Sequence, residues 1–393
     1  MPADADGTAQ RSRRRGSQVA IPCLFMRGGT SRGPFFDERA LPEDISARDA
    51  ALLAALGSPD ERQIDGMGGA HPLTSKVGIV GPGAQPGVDV ESTFGQVQPG
   101  GTTVDTTANC GNMLAAVLPF AIETGMVAPT GDRTTARVLT RNTGVVAEIT
   151  VATPAAADGQ RCVEYAGDTR IDGVPGGAAA IEIGFLDTAG SVAGALLPTG
   201  NVRDAVDVPE VGSVDVTMID NGQPLVIVEA GRLGATGYEE PADIDGDAEL
   251  KTKVEALRLR CGRAMGLGDV ADKNYPKMTL VAPPRDGGSL STRSLIPRVA
   301  HQSIGVLAAV TAATACVLEG SVAHAVAAGV AGAEPAVSVE HPSGEFSVTL
   351  GLDPDDPQRV VRSALLRTAR LLMSGEVLVP SSAWNPVAKE RSA

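Results

Sequence analysis

Three segments of this chain set reactive side chains into glycine-rich or polar turns: Met26-Arg27-Gly28-Gly29-Thr30-Ser31, Pro72-Leu73-Thr74-Ser75-Lys76 and Ala108-Asn109-Cys110-Gly111-Asn112. The last is followed at once by an apolar run from Met113 to Ile122, which predicts a helix opening at the cysteine. Unpaired N–H groups and the positive end of a helix dipole favour negative charge there, so the spot suits a thiolate or a bound carboxylate. Asn109 and Asn112 are turn neighbours rather than core neighbours, which distinguishes Cys110 from a cysteine that merely packs. Lys76, approached through Thr74 and Ser75, is a second candidate acid/base.

These residues need elements to hold them. Ala20 to Met26 reads as a strand ending in the Arg27-Gly28-Gly29 turn, and Ser46 to Leu56 as a helix stopped by Gly57-Ser58-Pro59. Lys76 leads into strand-like Val77-Gly78-Ile79-Val80. A strand around Val88 to Val97, the Cys110 helix, and strands near Ala136 to Leu139 and Val145 to Val151 follow.

The second half repeats that order. Leu307-Ala308-Ala309-Val310 echoes Leu114-Ala115-Ala116-Val117, and Pro276-Lys277-Met278-Thr279-Leu280-Val281 echoes Ser75-Lys76-Val77-Gly78-Ile79-Val80. Pro342-Ser343-Gly344 stands where Asn142-Thr143-Gly144 does, and Val216-Thr217-Met218 with Asp220-Asn221-Gly222 echoes the opening strand and turn. Several matches in one order predict two related α+β halves. The repeat makes Lys277, His301 and Ser303 second-half candidates. Ser303 stands near the place of Cys110 and lacks thiol acidity, which argues against a symmetrical two-thiol mechanism.

Composition bounds the class. A chain of 393 residues exceeds one ordinary core, and 43% apolar with 20% charged residues describes a globular protein. The 47 glycines and 27 prolines favour strand-rich architecture over a helical bundle. A net charge of −14 argues against nucleic acid as a partner. Arg11 to Arg15 is the one basic cluster, in a polar stretch read as a disordered tail with no secretory signal. The most apolar segment, Ile304 to Leu318, is too short for a bilayer that needs about 20 residues. Five scattered cysteines suggest no disulfide framework, and neither they nor four scattered histidines suggest a metal site. A cytoplasmic location fits best.

Arg27-Gly28-Gly29-Thr30-Ser31-Arg32-Gly33, Gly57-Ser58-Pro59-Asp60 through Arg62-Gln63-Ile64-Asp65-Gly66, Leu73-Thr74-Ser75-Lys76 and Asn109-Cys110-Gly111-Asn112 resemble the PrpF-type isomerases, within the diaminopimelate epimerase-like superfamily. The resemblance runs from about Ile21 to Pro380. It implies two similar α+β domains, each a β-sheet wrapped around a central helix, with the active site in the cleft between them. On that basis residues 19–185 form the first domain and 186–380 the second, with tails at 1–18 and 381–393. The implied activity is allylic isomerisation or tautomerisation of an unsaturated di- or tricarboxylate, 4-oxalomesaconate-like or aconitate-like, without cofactor or metal. The family's active-site lysine and cysteine fall on Lys76 and Cys110. Arg32 stands where many relatives carry lysine, with the charge kept. A second Cys-Gly-Ser/Thr-Gly motif is missing, which disfavours amino-acid epimerisation.

The chemistry follows from the groups themselves. A carbon acid beside a carboxylate needs a placed base and stabilisation of the enolate-like charge. Lys76 and Cys110 can share the two proton transfers, in either order. Arg27 is the candidate carboxylate clamp. Gly29, Thr30, Ser31, Ser75, Asn109, Gly111 and Asn112 are candidate contacts to substrate oxygens, each equally able to cap a turn or helix. Two other classes stand beside this one: a non-catalytic carboxylate-binding protein of the same fold, and a cysteine hydrolase whose base would be His71 or His301. The partner expected is a small unsaturated acid, not nucleic acid or membrane; a homodimer is suggested only by how common dimers are.

Overall fold

The computed structural model describes residues 11–107, 109–185, 188–209, 211–356 and 359–386. The chain runs β1 (Arg13–Arg15), β2 (Gln18–Gly28), β3 (Ser31–Asp37), α1 (Ile45–Leu56), β4 (Lys76–Pro82), β5 (Val90–Gln96), α2 (Gly111–Leu114), α3 (Val117–Glu123), β6 (Arg133–Thr140), β7 (Val145–Ala152) and β8 (Ile181–Phe185). It continues with β9 (Asp204–Val208), β10 (Gly212–Asp220), β11 (Pro224–Glu229), α4 (Pro241–Gly246), α5 (Ala248–Ala264), β12 (Lys277–Ala282), β13 (Leu290–Leu295), α6 (Val306–Val317) and α7 (Val322–Val326). Last come β14 (Ala336–His341), β15 (Gly344–Leu352), β16 (Val360–Arg367) and β17 (Ala369–Pro380). Among the described residues no helix is long and apolar enough to cross a membrane.

Two compact units result, one holding the residues up to Ile183 together with those from Arg367 onward, the other Gly184–Leu366. In the first unit β2 pairs antiparallel with β3, β3 parallel with β4, β4 antiparallel with β5, β5 parallel with β6 and β6 antiparallel with β7. In the second, β10 to β15 repeat that alternation step for step. The two halves read in the sequence are thus the same α+β design used twice.

The first sheet is covered on both faces. α2 and α3 pack on its inner face, against β2 to β7. On the other face Val19, Ile21, Cys23, Phe36, Val77, Ile79, Val377 and Val379 form a core with Ala51, Leu52, Ala55 and Leu56 of α1. Strand side chains alternate between faces, so Val77 and Ile79 facing α1 leave Lys76 and Gly78 facing the central helices. The α1 helix has the ends its sequence prescribes: Asp44 accepts a 2.8 Å hydrogen bond from the Ala47 N–H, and Gly57 closes it at φ 79°. In the second unit α6 takes the inner position against β10, β11, β14 and β15, while α5 packs against β9 and β12.

Three expectations differ from the structure. The helix over 113–122 is two helices with a break at Ala115 and Ala116, because Pro119 has no N–H to give the Ala115 carbonyl and its ring would crowd it. The expected second domain, 186–380, loses its last strand to the first unit: β17 pairs along β2 from Ala369↔Gly28 to Pro380↔Gln18. The expected tails are shorter too. Arg13–Arg15 pairs with β2 and Arg13 reaches Glu376 at 2.9 Å, while Ser381 N–H bonds the Ser17 carbonyl and Trp384 packs on the α1 core. Residues 1–10 and 387–393 of those tails lie outside the described residues, as does Ala108.

Candidate active site

Lys76 is the first residue of β4 and points to the inner face, only 7% exposed. Cys110 is the N-cap residue of α2, with extended backbone angles and no side-chain cap of its own. Its thiol is turned to the lysine: Lys76 Nζ lies 3.6 Å from Cys110 Sγ. The ammonium also donates to Gln96 Oε1 at 2.8 Å and sits 5.0 Å from the centre of the Phe94 ring. Gln96 is fixed in turn, its amide N–H groups donating to the carbonyls of Pro72, Ser75 and Val97 at 3.0–3.2 Å.

The environment of this thiol differs from that of its fellows. Burial pushes the Cys23, Cys261 and Cys316 thiols up to about 12. Cys110 is only partly buried, and it borders a cavity of about 20 Å³ shared with Phe35, Phe94, Asn109, Met113 and Asn142, enough for about one water. The short length of α2 changes one expectation: a four-residue helix carries little macrodipole, so any anion stabilisation comes from the local N–H groups of its first turn.

Five of the other expected residues lie on the two turns that meet beside this pair. A Cβ on Gly28 or Gly29 would collide with Asn112, and Gly29 adopts φ 51°, so the glycines let the first turn approach the Cys110 helix. Asn112 Nδ2 donates to Thr30 Oγ1 at 2.8 Å, joining the two segments. Ser31 is 1% exposed and its hydroxyl has no hydrogen-bond partner among the described residues. A buried hydroxyl left unpaired costs stability unless a ligand completes it. Gly111 opens α2 beside Cys110.

Others prove to be structural or sit elsewhere. Ser75 is fully buried and gives its hydroxyl to Gln63 Oε1 at 2.6 Å, while Asn109 Nδ2 donates to Thr140 and Thr143 hydroxyls. Arg27 is not on the Cys110 side: it alternates with Met26 and Gly28, which face inward, and lines a separate cavity with Arg32 and Arg370. His71 Nδ1 accepts from the Leu73 N–H, engaged in its own turn.

In the second unit Lys277 begins β12 as Lys76 begins β4, and its Nζ lies 3.6 Å from the position a Gly305 Cβ would occupy, at the N-cap of α6. Burial lowers its pKa, and burial followed by the Lys277 charge lowers that of His301. His301 Nδ1 accepts from Ser303 N–H at 2.9 Å, and the Ser303 hydroxyl lies 3.2 Å from His341 Nε2. The helix cap is Gly305, two residues beyond the serine expected there.

Sequence reading missed Gln96, Gln63, Phe94 and His341. Gln96 directly faces Lys76 across β4 and β5, a register no local pattern announces. Gln63 lies within a recognised motif, but its positive φ of 50° and its bond to Ser75 are visible only in the fold.

An amine and a thiol thus stand 3.6 Å apart on a twice-used α+β unit. The model of the PrpF protein family matches residues 18–380, and the chain belongs to that family. It is 54% identical over 367 residues to the (4E)-oxalomesaconate Delta-isomerase of Novosphingobium sp., covering 93% of this chain and 99% of that one. With the 4-oxalomesaconate tautomerase of Pseudomonas putida it shares 51% identity over 368 residues, 93% of this chain and 98% of the other. The crystal structure of methylitaconate-delta-isomerase matches with a TM-score of 0.80 at 34% identity, covering 95% of this chain and 99% of that one. This protein is an isomerase.

Proposed function

We propose that the chain is a cofactor-independent allylic isomerase or tautomerase acting on an unsaturated di- or tricarboxylate of the 4-oxalomesaconate type, with Lys76 and Cys110 as its proton-transfer pair. The observation that carries this reading is the 3.6 Å approach of Lys76 Nζ to Cys110 Sγ. One of the two takes a proton from the allylic carbon, the electron pair moves through the double bond into an enolate-like system, and the other returns a proton at the far carbon. One proton leaves and one is gained, no electrons are exchanged, and an amine and a thiol suffice.

The carboxylates of such a substrate need donors. Ser31 offers an unpaired buried hydroxyl, Thr30 and Asn112 lie beside it, and the first-turn N–H groups of α2 stand next to Cys110. The choice of acid rests on the relatives at 54% and 51% identity, both named for oxalomesaconate. A methylitaconate- or aconitate-like acid is the second reading, supported by the structural match at 34% identity.

Proton NMR in D2O with 4-oxalomesaconate, methylitaconate and the aconitates tests the proposal. Double-bond migration or deuterium uptake by the wild type, lost in Lys76→Ala and Cys110→Ala, is the expected result. Binding without exchange for every acid would instead indicate a non-catalytic carboxylate-binding protein, and exchange surviving both substitutions would place the chemistry on other residues.

A further inference from the structure

Arg27, Arg32 and Arg370 stand in one row across three neighbouring strands. Arg27 in β2 is directly opposite Arg32 in β3 and, on its other side, directly opposite Arg370 in β17. All three fall on the face of the sheet that packs α1 elsewhere along the strands, away from the Lys76–Cys110 side. Like charges directly opposite one another destabilise a sheet, so this row costs the fold free energy.

Arg32 lies 5.8 Å from the centre of the Phe25 ring and Arg27 has uncharged acceptors, but no anion among the described residues offsets the cost. Among the described residues no carboxylate pairs with any of the three, although the chain carries a net charge of −14. Asp168 and Asp172 lie on the segment covering this face, yet neither borders the cavity there. That cavity measures about 520 Å³ and is lined by the three arginines with Tyr165, Thr169 and Leu372 among others. It falls within the roughly 300–1,000 Å³ of ordinary ligand clefts.

Arg27, the middle of the row, is also held in place. Arg27 Nη1 donates to the carbonyls of Gly29 and Thr368 and to the Thr368 hydroxyl at 2.9–3.2 Å, which fixes the guanidinium and leaves its remaining N–H groups to a ligand. Burial first, and Arg370 second, lower its pKa, as expected for a cation lacking an anion.

We propose that this outer cavity is a second ligand site, which binds a small oligoanion, a di- or tricarboxylate or a phosphate, through Arg27, Arg32 and Arg370. Planar guanidinium donors, the middle one fixed, facing a partly enclosed space suit bidentate recognition of carboxylate or phosphate oxygens. The site is separate from the proton-transfer pair and does not depend on the reaction assigned to it.

Hydrogen–deuterium exchange of the intact protein tests this with two probes at equal concentration, inorganic phosphate and tricarballylate, a tricarboxylate with no double bond to shift. Residues 165–178 and 368–372 are expected to gain protection with at least one probe. The apparent affinity should fall about tenfold in Arg370→Ala and further in Arg32→Ala/Arg370→Ala, as for loss of charge-assisted hydrogen bonds. Both residues are exposed and relief of the like-charge row can only help, so the variants should melt no lower than the wild type, and Arg370→Gln is a conservative alternative. Protection by tricarballylate alone identifies a carboxylate site, and protection by phosphate a site that reads charge density. No protection with either probe, or an undiminished response in the double variant, would overturn the proposal.

Discussion

Lys76 and Gln96 face each other directly across β4 and β5, and the glutamine carbonyl holds the lysine ammonium at 2.8 Å. The orientation of that carbonyl is not free, because the amide nitrogen is committed to three backbone carbonyls. Gln96 therefore aims Lys76 at Cys110 without itself reaching the thiol. Gln96→Ala should lower kcat about tenfold with little change in KM, the mark of lost positioning rather than lost binding. A Gln96→Ala enzyme with wild-type kcat would show that the contact plays no part in turnover.

The five thiols should differ sharply in reactivity. Cys23, Cys261 and Cys316 are buried, Cys110 is partly exposed and Cys162 is exposed. In native protein iodoacetamide is expected to modify Cys162 and Cys110 alone, and with Cys162→Ser one label should remain. Because the label sits against Lys76, that single modification should remove more than about 99% of turnover, in keeping with the 10²–10⁴-fold contributions of placed acids and bases. Mass spectrometry after labelling, with and without a bound acid, reads both the site and its protection.

Gly29 and Gly16 separate backbone strain from close approach. Both have positive φ, 51° and 64°, but a Cβ on Gly29 would strike Asn112 while nothing lies within 4 Å of one on Gly16. Gly16→Ala should cost about 1 kcal/mol through the left-handed conformation alone. Gly29→Ala should cost about 2–4 kcal/mol and also lower kcat, since it pushes Asn112 off Thr30 and shifts the turn that carries Cys110. Denaturant melts and initial rates on the two variants decide between equal and unequal effects.

Much of this was legible before the fold was known, and the rest had identifiable physical reasons for being hidden. Lys76 and Cys110 could be singled out because each sits at the mouth of an element with an unmistakable apolar pattern. The repeat was visible because strand order survives in spacing even where side chains differ. Arg27 was legible as a candidate carboxylate clamp but not its side of the sheet, because a one-residue step reverses the face of a strand and only the inward Met26 and Gly28 reveal which face it takes. Gln96 and β17 were missed for a shared reason: both act through pairing with residues distant in sequence, and local patterns carry no register. The helix break came from Pro119, whose missing N–H was readable but lay inside a run that otherwise looked continuous.

The second-unit lysine and histidine make the stability of the protein sensitive to acid. His301 is held below its ordinary 6.5, chiefly by burial and then by the charge of Lys277. The unfolded chain therefore binds a proton near pH 6.5 that the folded protein refuses until the pH is lower. Stability rises with pH through that window, is complete above it, and is lost as the pH falls from 6.5 through the folded value. The same sign holds for Lys277, whose window extends up to 10.5. In His301→Asn the amide oxygen can still accept the Ser303 N–H, but nothing titrates. The drop in melting temperature between about pH 7 and about pH 5 should thus be smaller in His301→Asn than in the wild type, with other acid-labile contacts common to both. Lys277→Met removes the charge that adds to the shift, so it should shrink the same drop in part. Equal acid losses in all three proteins would show that His301 is solvated rather than held neutral by its surroundings.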